Sequence, residues 1–194
     1  VIAHPSPNHG PRRAAQVDML VLHYTAIDGP ASLARLCDPA AEVSAHYLIE
    51  EDGTIFALVA ESERAWHAGL SSWQGGHDVN SRSVGIELVN SGSAPFSEPQ
   101  IDALLALGRD ILSRHPIPPE NVVGHSDVAP TRKRDPGPLF PWARLAAAGI
   151  GRWPFPDPAD LPEPAVLAAY GYDVTDLPAA IHAFRMHFRP IGIA

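Results

Sequence analysis

Val17-Asp-Met-Leu-Val-Leu-His-Tyr-Thr25 is a nearly unbroken apolar run, and its reading decides the fold. A strand with one wet face alternates apolar and polar residues. A run without alternation belongs to a strand covered on both faces, as in the inner strands of α/β proteins. Working outward, Val43–Glu50, Ile55–Val59 and Ser83–Asn90 read as further strands, and Asn121–His125 as a short buried one. Glu51-Asp-Gly-Thr54 reads as a hairpin turn in which Asp-Gly supplies positive φ values. A short helix is expected after Pro30, through Leu33 and Leu36. A longer one opens at Ser97, with Ser97 as N-cap, Pro99 in the first turn and Gln100 at the capping-box position. Its apolar stripe is Ile101, Leu104, Leu105, Ile111 and Leu112, and His115-Pro116 ends it. A third helix is expected from Trp142 to Ala148, stopped by Gly149.

The 194 residues carry a net charge of −8 and are 45% hydrophobic, a globular composition with enough apolar content for a core. The acidic balance argues against nucleic-acid binding. No apolar run is long enough to span a membrane. A lone cysteine, Cys37, excludes a disulfide framework and a multi-cysteine zinc site. The 21 prolines mark the loops. Residues 1–16 read as an extended lead-in to a domain covering 1–150. Residues 151–162 read as a Pro-rich linker, and 163–194 as a small helical region around Val166–Tyr170 and Leu177–Phe188. That region is too small for a deep core of its own, so it either packs on the main domain or belongs to a longer module. The chain opens at Val1 without a basic or apolar leader.

Three polar residues stand where apolar ones are expected. On alternation His23 shares a face with Met19 and Val21. Glu87 points opposite to Ile86 and Leu88, with Gly85 leaving space beside it. His125 ends Val122-Val-Gly-His125. Buried without partners, such groups cost several kcal/mol in rough terms, and a metal site is the economical explanation. His23, His125 and Asp135 make two imidazoles and a carboxylate, the donor set of a catalytic zinc with an open fourth position.

Leu22-His-Tyr-Thr25, Val43-Ser-Ala-His-Tyr47, Ala65-Trp-His-Ala-Gly69, Ser83-Val-Gly-Ile-Glu87 and Gly124-His-Ser-Asp-Val-Ala-Pro130 occur in that order. Arg132-Lys-Arg-Asp-Pro-Gly-Pro-Leu-Phe-Pro-Trp142 follows them. Together they resemble the zinc-dependent N-acetylmuramoyl-L-alanine amidases of the amidase_2 family, of the AmpD/AmiD type and nearer to AmiD. Ala169-Tyr-Gly-Tyr-Asp173 and Phe184-Arg-Met-His-Phe-Arg-Pro190 extend the resemblance to the small C-terminal helical domain of the AmiD type. The resemblance implies an α/β fold like that of peptidoglycan recognition proteins, a mixed central sheet flanked by helices. It implies one catalytic Zn2+ on His23, His125 and Asp135, with Glu87 and Lys133 as catalytic residues. The reaction implied is hydrolysis of the amide joining the lactyl group of muramic acid, or its 1,6-anhydro form, to L-alanine. The partner is then peptidoglycan or a muropeptide, met by a monomer. An AmiD-type protein is expected in the periplasm, lipid-anchored through a leader outside this chain; an AmpD-type one is expected in the cytoplasm.

Other residues have plainer readings. Glu87 could be a structural ion pair with Lys133. Trp66, His67, Asn90 and Arg132 are candidates for substrate contact, and Trp73 a weaker one, each set against a packing or surface role. His46 reads as a core histidine, and His182 and His187 as chemically idle. Asp127 sits two residues after His125, but the family pattern selects Asp135. The rival function is a peptidoglycan recognition module that binds without cutting.

Overall fold

The computed structural model describes residues 1–14, 16–155 and 161–190. The first strands are β1 (Ile2–Ala3), β2 (His9–Pro11) and β3 (Met19–Tyr24), followed by helix α1 (Gly29–Cys37). Then come β4 (Tyr47–Ile49), β5 (Ile55–Ala57), β6 (Glu63–Ala65), β7 (Ser72–Trp73), β8 (Gly76–His77), α2 (Val79–Arg82) and β9 (Ser83–Leu88). The remainder is α3 (Glu98–Arg114), β10 (Val122–Gly124), α4 (His125–Val128), α5 (Trp142–Ala147), α6 (Pro164–Tyr170) and α7 (Leu177–Phe188). The main sheet runs β1-β5-β4-β9-β3-β10. It is mixed: β4 and β5 are antiparallel, and the other neighbours are parallel. The mixed sheet flanked by helices is the expected architecture.

The unbroken apolar run of β3 has the expected cause. Leu20 and Leu22 face a cluster with Val84, Ile86, Leu88 and the α3 residues Ile101, Leu104, Leu107 and Ile111. Met19 and Val21 face a second cluster, with Val123 and the C-terminal residues Leu167, Tyr172, Ala183, Phe184 and Phe188. The C-terminal helices therefore pack on the sheet and share its core. Helix α7 starts at Asp176, whose carboxylate accepts the Ala179 N–H at 3.1 Å, and buries Ala180, Ala183, Phe184 and His187 on one face. Residues 156–160 of the expected linker and 191–194 of the tail lie outside the described residues.

Several local expectations need correction. The strand expected from Val43 is confined to Tyr47–Ile49, because Ser44 turns its backbone to Trp66 and not to the sheet. The Ser44 N–H donates to Trp66 O, and His46 Nδ1 accepts the Gly85 N–H at 2.9 Å. At the hairpin only Gly53 has a positive φ, of 86°. Asp52 instead accepts the Thr54 N–H at 2.8 Å, closing the turn through its side chain. Ser97 does cap α3, but Gln100 makes no reciprocal cap; its amide donates at 2.9 Å to Ile49 O and Val89 O, tying the helix to the sheet. His125 opens a helical turn instead of ending the strand, and Asp127 accepts the Gly124 N–H at 2.7 Å. Among the described residues no helix is long and apolar enough to cross a membrane.

Candidate active site

Strands β9, β3 and β10 lie side by side and parallel, with Glu87 opposite His23 and Leu22 opposite Gly124. Paired residues on adjacent strands share a face. Glu87 and His23 thus stand together at the carboxyl ends of their strands, and His125 follows Gly124 into the same place. Open α/β sheets bind ligands at this edge. Asp135 returns to it because the Ser126 N–H donates to Asp135 O at 2.9 Å, closing the loop between the two residues. Gly124 permits the closure: a Cβ there would lie 2.6 Å from Pro136 Cδ.

His23 Nδ1 lies 2.9 Å from His125 Nδ1, and each lies 3.0 Å from Asp135 Oδ2. All three residues are buried. Their outer hydrogen bonds decide which atoms carry protons. Ser83 Oγ–H donates to Val79 O at 2.7 Å, so Ser83 Oγ accepts from His67 Nε2 at 3.1 Å. His67 Nδ1 is then an acceptor, and His23 Nε2–H donates to it at 3.0 Å. His125 Nε2–H donates to Ala68 O at 3.1 Å. With both Nε2 atoms protonated, two bare Nδ1 lone pairs and a carboxylate oxygen converge on one point. Three acceptors facing one another are stable only around a cation, and the outer partners are those that orient metal-bound imidazoles. The donor set fits a metal ion.

Electrostatics agree. Burial, then the neighbouring His125, lowers the His23 pKa to about 4 despite Asp135. Burial alone would raise Asp135, but the facing His125 and His23 rings outweigh it and hold its carboxyl well below the usual range. Glu87 is pushed up to about 8, first by burial and then by the Asp135 charge, while Lys133 opposes the shift. Its Oε2 is buried and has no hydrogen-bond partner among the described residues. An acid with a free oxygen and a displaced pKa beside a cation site is a candidate proton carrier. A cavity of about 200 Å³ opens over it, lined in part by Tyr24, Trp66, Glu87, His125, Lys133 and Asp135. A donor set for a cation, a free carboxylate oxygen and a cavity thus occupy one place.

The family described as N-acetylmuramoyl-L-alanine amidase, Amidase_2, matches residues 13–138. The chain belongs to this amidase family. N-acetylmuramoyl-L-alanine amidase AmiD of Escherichia coli is 45% identical, over 92% of this chain and 79% of that protein. The 1,6-anhydro-N-acetylmuramyl-L-alanine amidase AmpD of Enterobacter cloacae is 36% identical, over 74% of this chain and 87% of that protein. The solved complex of E. coli AmiD with anhydro-N-acetylmuramic acid-L-Ala-D-γ-Glu-L-Lys superposes with a TM-score of 0.83 at 44% identity. That match covers 92% of this chain and 83% of the other. AmpDh3 of Pseudomonas aeruginosa gives 0.80 at 42% identity, covering 90% and 84%.

In this amidase the sequence-derived candidates separate. His125, Asp135, Glu87 and Lys133 line one cavity, with Trp66 and His67 on its wall, and the wholly buried His23 reaches the same place through His125 and Asp135. No Glu87–Lys133 ion pair occurs among the described residues. His67 is buried, and both its ring nitrogens are engaged, one on His23 and one on Ser83. Its ring fills the space at Gly85, where a Cβ would lie 2.4 Å from it. The room beside Glu87 at Gly85 thus belongs to His67. Asn90 does not line the cavity; it is buried, accepts the Gly92 N–H at 2.7 Å and donates to Ala94 O at 3.2 Å, ordering its own loop. Arg132 donates to Ala68 O at 3.2 Å and to Leu70 O, holding the loop whose carbonyl orients His125. Trp73 is wholly buried and donates to Asn121 Oδ1 at 3.1 Å. Sequence reasoning missed Tyr24 and Arg35 on the cavity wall. Tyr24 follows His23 directly, but Arg35 comes from α1 and gave no local signal.

Proposed function

We infer that this chain hydrolyses the amide between the lactyl group of N-acetylmuramic acid, or its 1,6-anhydro form, and the L-alanine of a stem peptide. The observation that carries the reading is the convergence of His23 Nδ1, His125 Nδ1 and Asp135 Oδ2 beside the unpartnered Glu87 Oε2. Two imidazoles and one carboxylate favour zinc as the ion, with an open position. Zinc supplies, when bound, a Lewis acid that acidifies water and polarises a carbonyl. Glu87 takes a proton from the attacking water at Oε2 as the water oxygen bonds to the lactyl carbonyl carbon. The Lys133 ammonium stabilises the oxyanion that develops there. Glu87 then returns the proton to the alanine nitrogen, the C–N bond breaks, and the peptide amine leaves with the lactyl acid, whose remaining proton passes to solvent.

Trp66 on the cavity wall offers an apolar surface to the sugar. Arg35, exposed at the rim and without an ion-pair partner among the described residues, suits a peptide carboxylate. His67, Asn90 and Arg132 act through the protein: His67 on His23, Arg132 on the 68–70 loop and Asn90 on its own loop. The match to AmiD spans more of the chain than the match to AmpD, 92% against 74%, which supports a role on the wall side, in the periplasm.

The test is mass spectrometry of products from paired muropeptides, one reducing and one anhydro, with and without a zinc chelator. Chelator-sensitive cleavage at the lactyl–alanine bond is expected. Cleavage of both forms supports action on wall fragments; anhydro-only cleavage would move the reading to cytoplasmic recycling. No cleavage by folded, zinc-loaded protein would return it to a recognition module.

A further inference from the structure

Asp127 is fully buried in the turn between two candidate ligands, yet it is not among the three converging donors. Its carboxylate takes three hydrogen bonds. Oδ2 accepts the Gly124 N–H at 2.7 Å and His187 Nδ1–H at 2.7 Å, and Oδ1 accepts the Tyr172 hydroxyl at 2.7 Å. Gly124 immediately precedes His125. Tyr172 and His187 belong to the C-terminal segment, 45 and 60 residues further along the chain. His187 is itself held by stacking on Trp142, with ring centroids 3.7 Å apart. Tyr172 packs edge-on against the buried Trp73 at 5.1 Å.

A buried carboxylate is tolerated only when its oxygens are satisfied, and losing a partner there costs far more than at a surface. Asp127 is therefore fixed by the C-terminal helices and in turn fixes the Gly124–His125 peptide. The same turn carries the Ser126 N–H that holds Asp135 O at 2.9 Å. Two of the three converging donors thus hang on one turn, and that turn is pinned from outside the region that supplies the ligands. Metal sites depend on such supporting contacts, because ligand atoms must be held to a fraction of an ångström.

We propose that Asp127 is a positioning residue of the metal centre, and that Tyr172 and His187 make the C-terminal helices part of the frame that sets metal affinity. The proposal rests on the reading of His125 and Asp135 as metal ligands.

The experiment measures zinc affinity of the full chain by competition with a chromophoric chelator, with metal-free melting followed in parallel to show that each variant folds. Asp127→Asn is expected to weaken zinc binding by about 10- to 100-fold. Tyr172→Phe, which removes only the hydroxyl, is expected to weaken it in the same direction, and to add nothing in the Asp127→Asn background. His187→Ala is expected to lose affinity that His187→Asn regains, since the Asn amide replaces the Nδ1 donor while both variants lose the stacking. Folded Tyr172→Phe and Asp127→Asn proteins with wild-type zinc affinity would overturn the proposal. So would equal losses in His187→Ala and His187→Asn, which would assign the effect to packing. A wild-type chain that bound no zinc, or bound it unchanged after His23→Ala, would defeat the ligand reading itself.

Discussion

At the scale of single residues, the site works by leaving certain atoms free and occupying others. Glu87 Oε2 is free, while both nitrogens of His67 are engaged. Glu87→Gln is expected to keep zinc and lose turnover by about 100- to 10,000-fold, the usual cost of a lost acid–base group. Metal analysis beside single-turnover kinetics checks this, and near-normal turnover would remove Glu87 from proton transfer. Lys133→Ala is expected to lower kcat by about 100- to 1,000-fold with zinc content unchanged, as for a lost oxyanion stabiliser. Loss confined to KM would instead make Lys133 a substrate anchor. His23, Glu87 and His125 were legible before the structure, because polar residues inside apolar runs have few structural explanations. His67 was not. Its chain position gave no sign that its ring would slide over Gly85 to orient His23.

Between elements, a few side chains hold strands and helices in register. Gly85 sits in β9 directly against the His67 ring. Gly85→Ala is expected to destabilise the fold by about 1–3 kcal/mol through overpacking, and to weaken zinc binding by displacing His67 from His23. Denaturant melts with zinc titration check both effects; unchanged affinity would show that the ring is not needed by the ligand. On the other side of the sheet, Glu61 joins β4 to the end of α3. It accepts from the Tyr47 hydroxyl at 2.7 Å, Arg114 Nη2 at 2.8 Å and His115 Nε2 at 2.6 Å. Burial pushes the Glu61 pKa up, but these bonds outweigh it and bring it down to about 2. A carboxylate with a depressed folded-state pKa contributes stability that is complete above its ordinary value near 4.5 and is lost as pH falls towards 2. The contribution is on the order of 2 kcal/mol at this partly wet position. Melting temperature against pH should therefore fall less steeply below pH of about 4.5 in Glu61→Gln than in the wild type. Parallel curves would show that the cluster adds nothing.

Across the whole molecule, the main sheet is covered by α3 on one face and by the C-terminal helices on the other. Phe184 is wholly buried against that second face. Phe184→Ala is expected to cost about 3–5 kcal/mol and to lower the one unfolding transition of the entire chain. Two separate transitions in calorimetry would mean that the C-terminal helices fold as an independent unit. The sequence alone determined the identities of the longer strands and helices and the order of the site motifs, but not the short elements β1, β2, β6, β7, β8, α2 and α4. Local periodicity, turn residues and capping residues express themselves within a few positions and need no partner. It also singled out His23, Glu87 and His125 as candidates, because a buried His or Glu in an apolar strand is costly wherever the chain goes. Only the tertiary structure decided which partners those side chains meet. Asn90 turned to its own loop, Arg132 to the Ala68 and Leu70 carbonyls, and His187 to Asp127 across 60 residues of chain. Such choices depend on which surfaces pack together, and no short-range pattern encodes that.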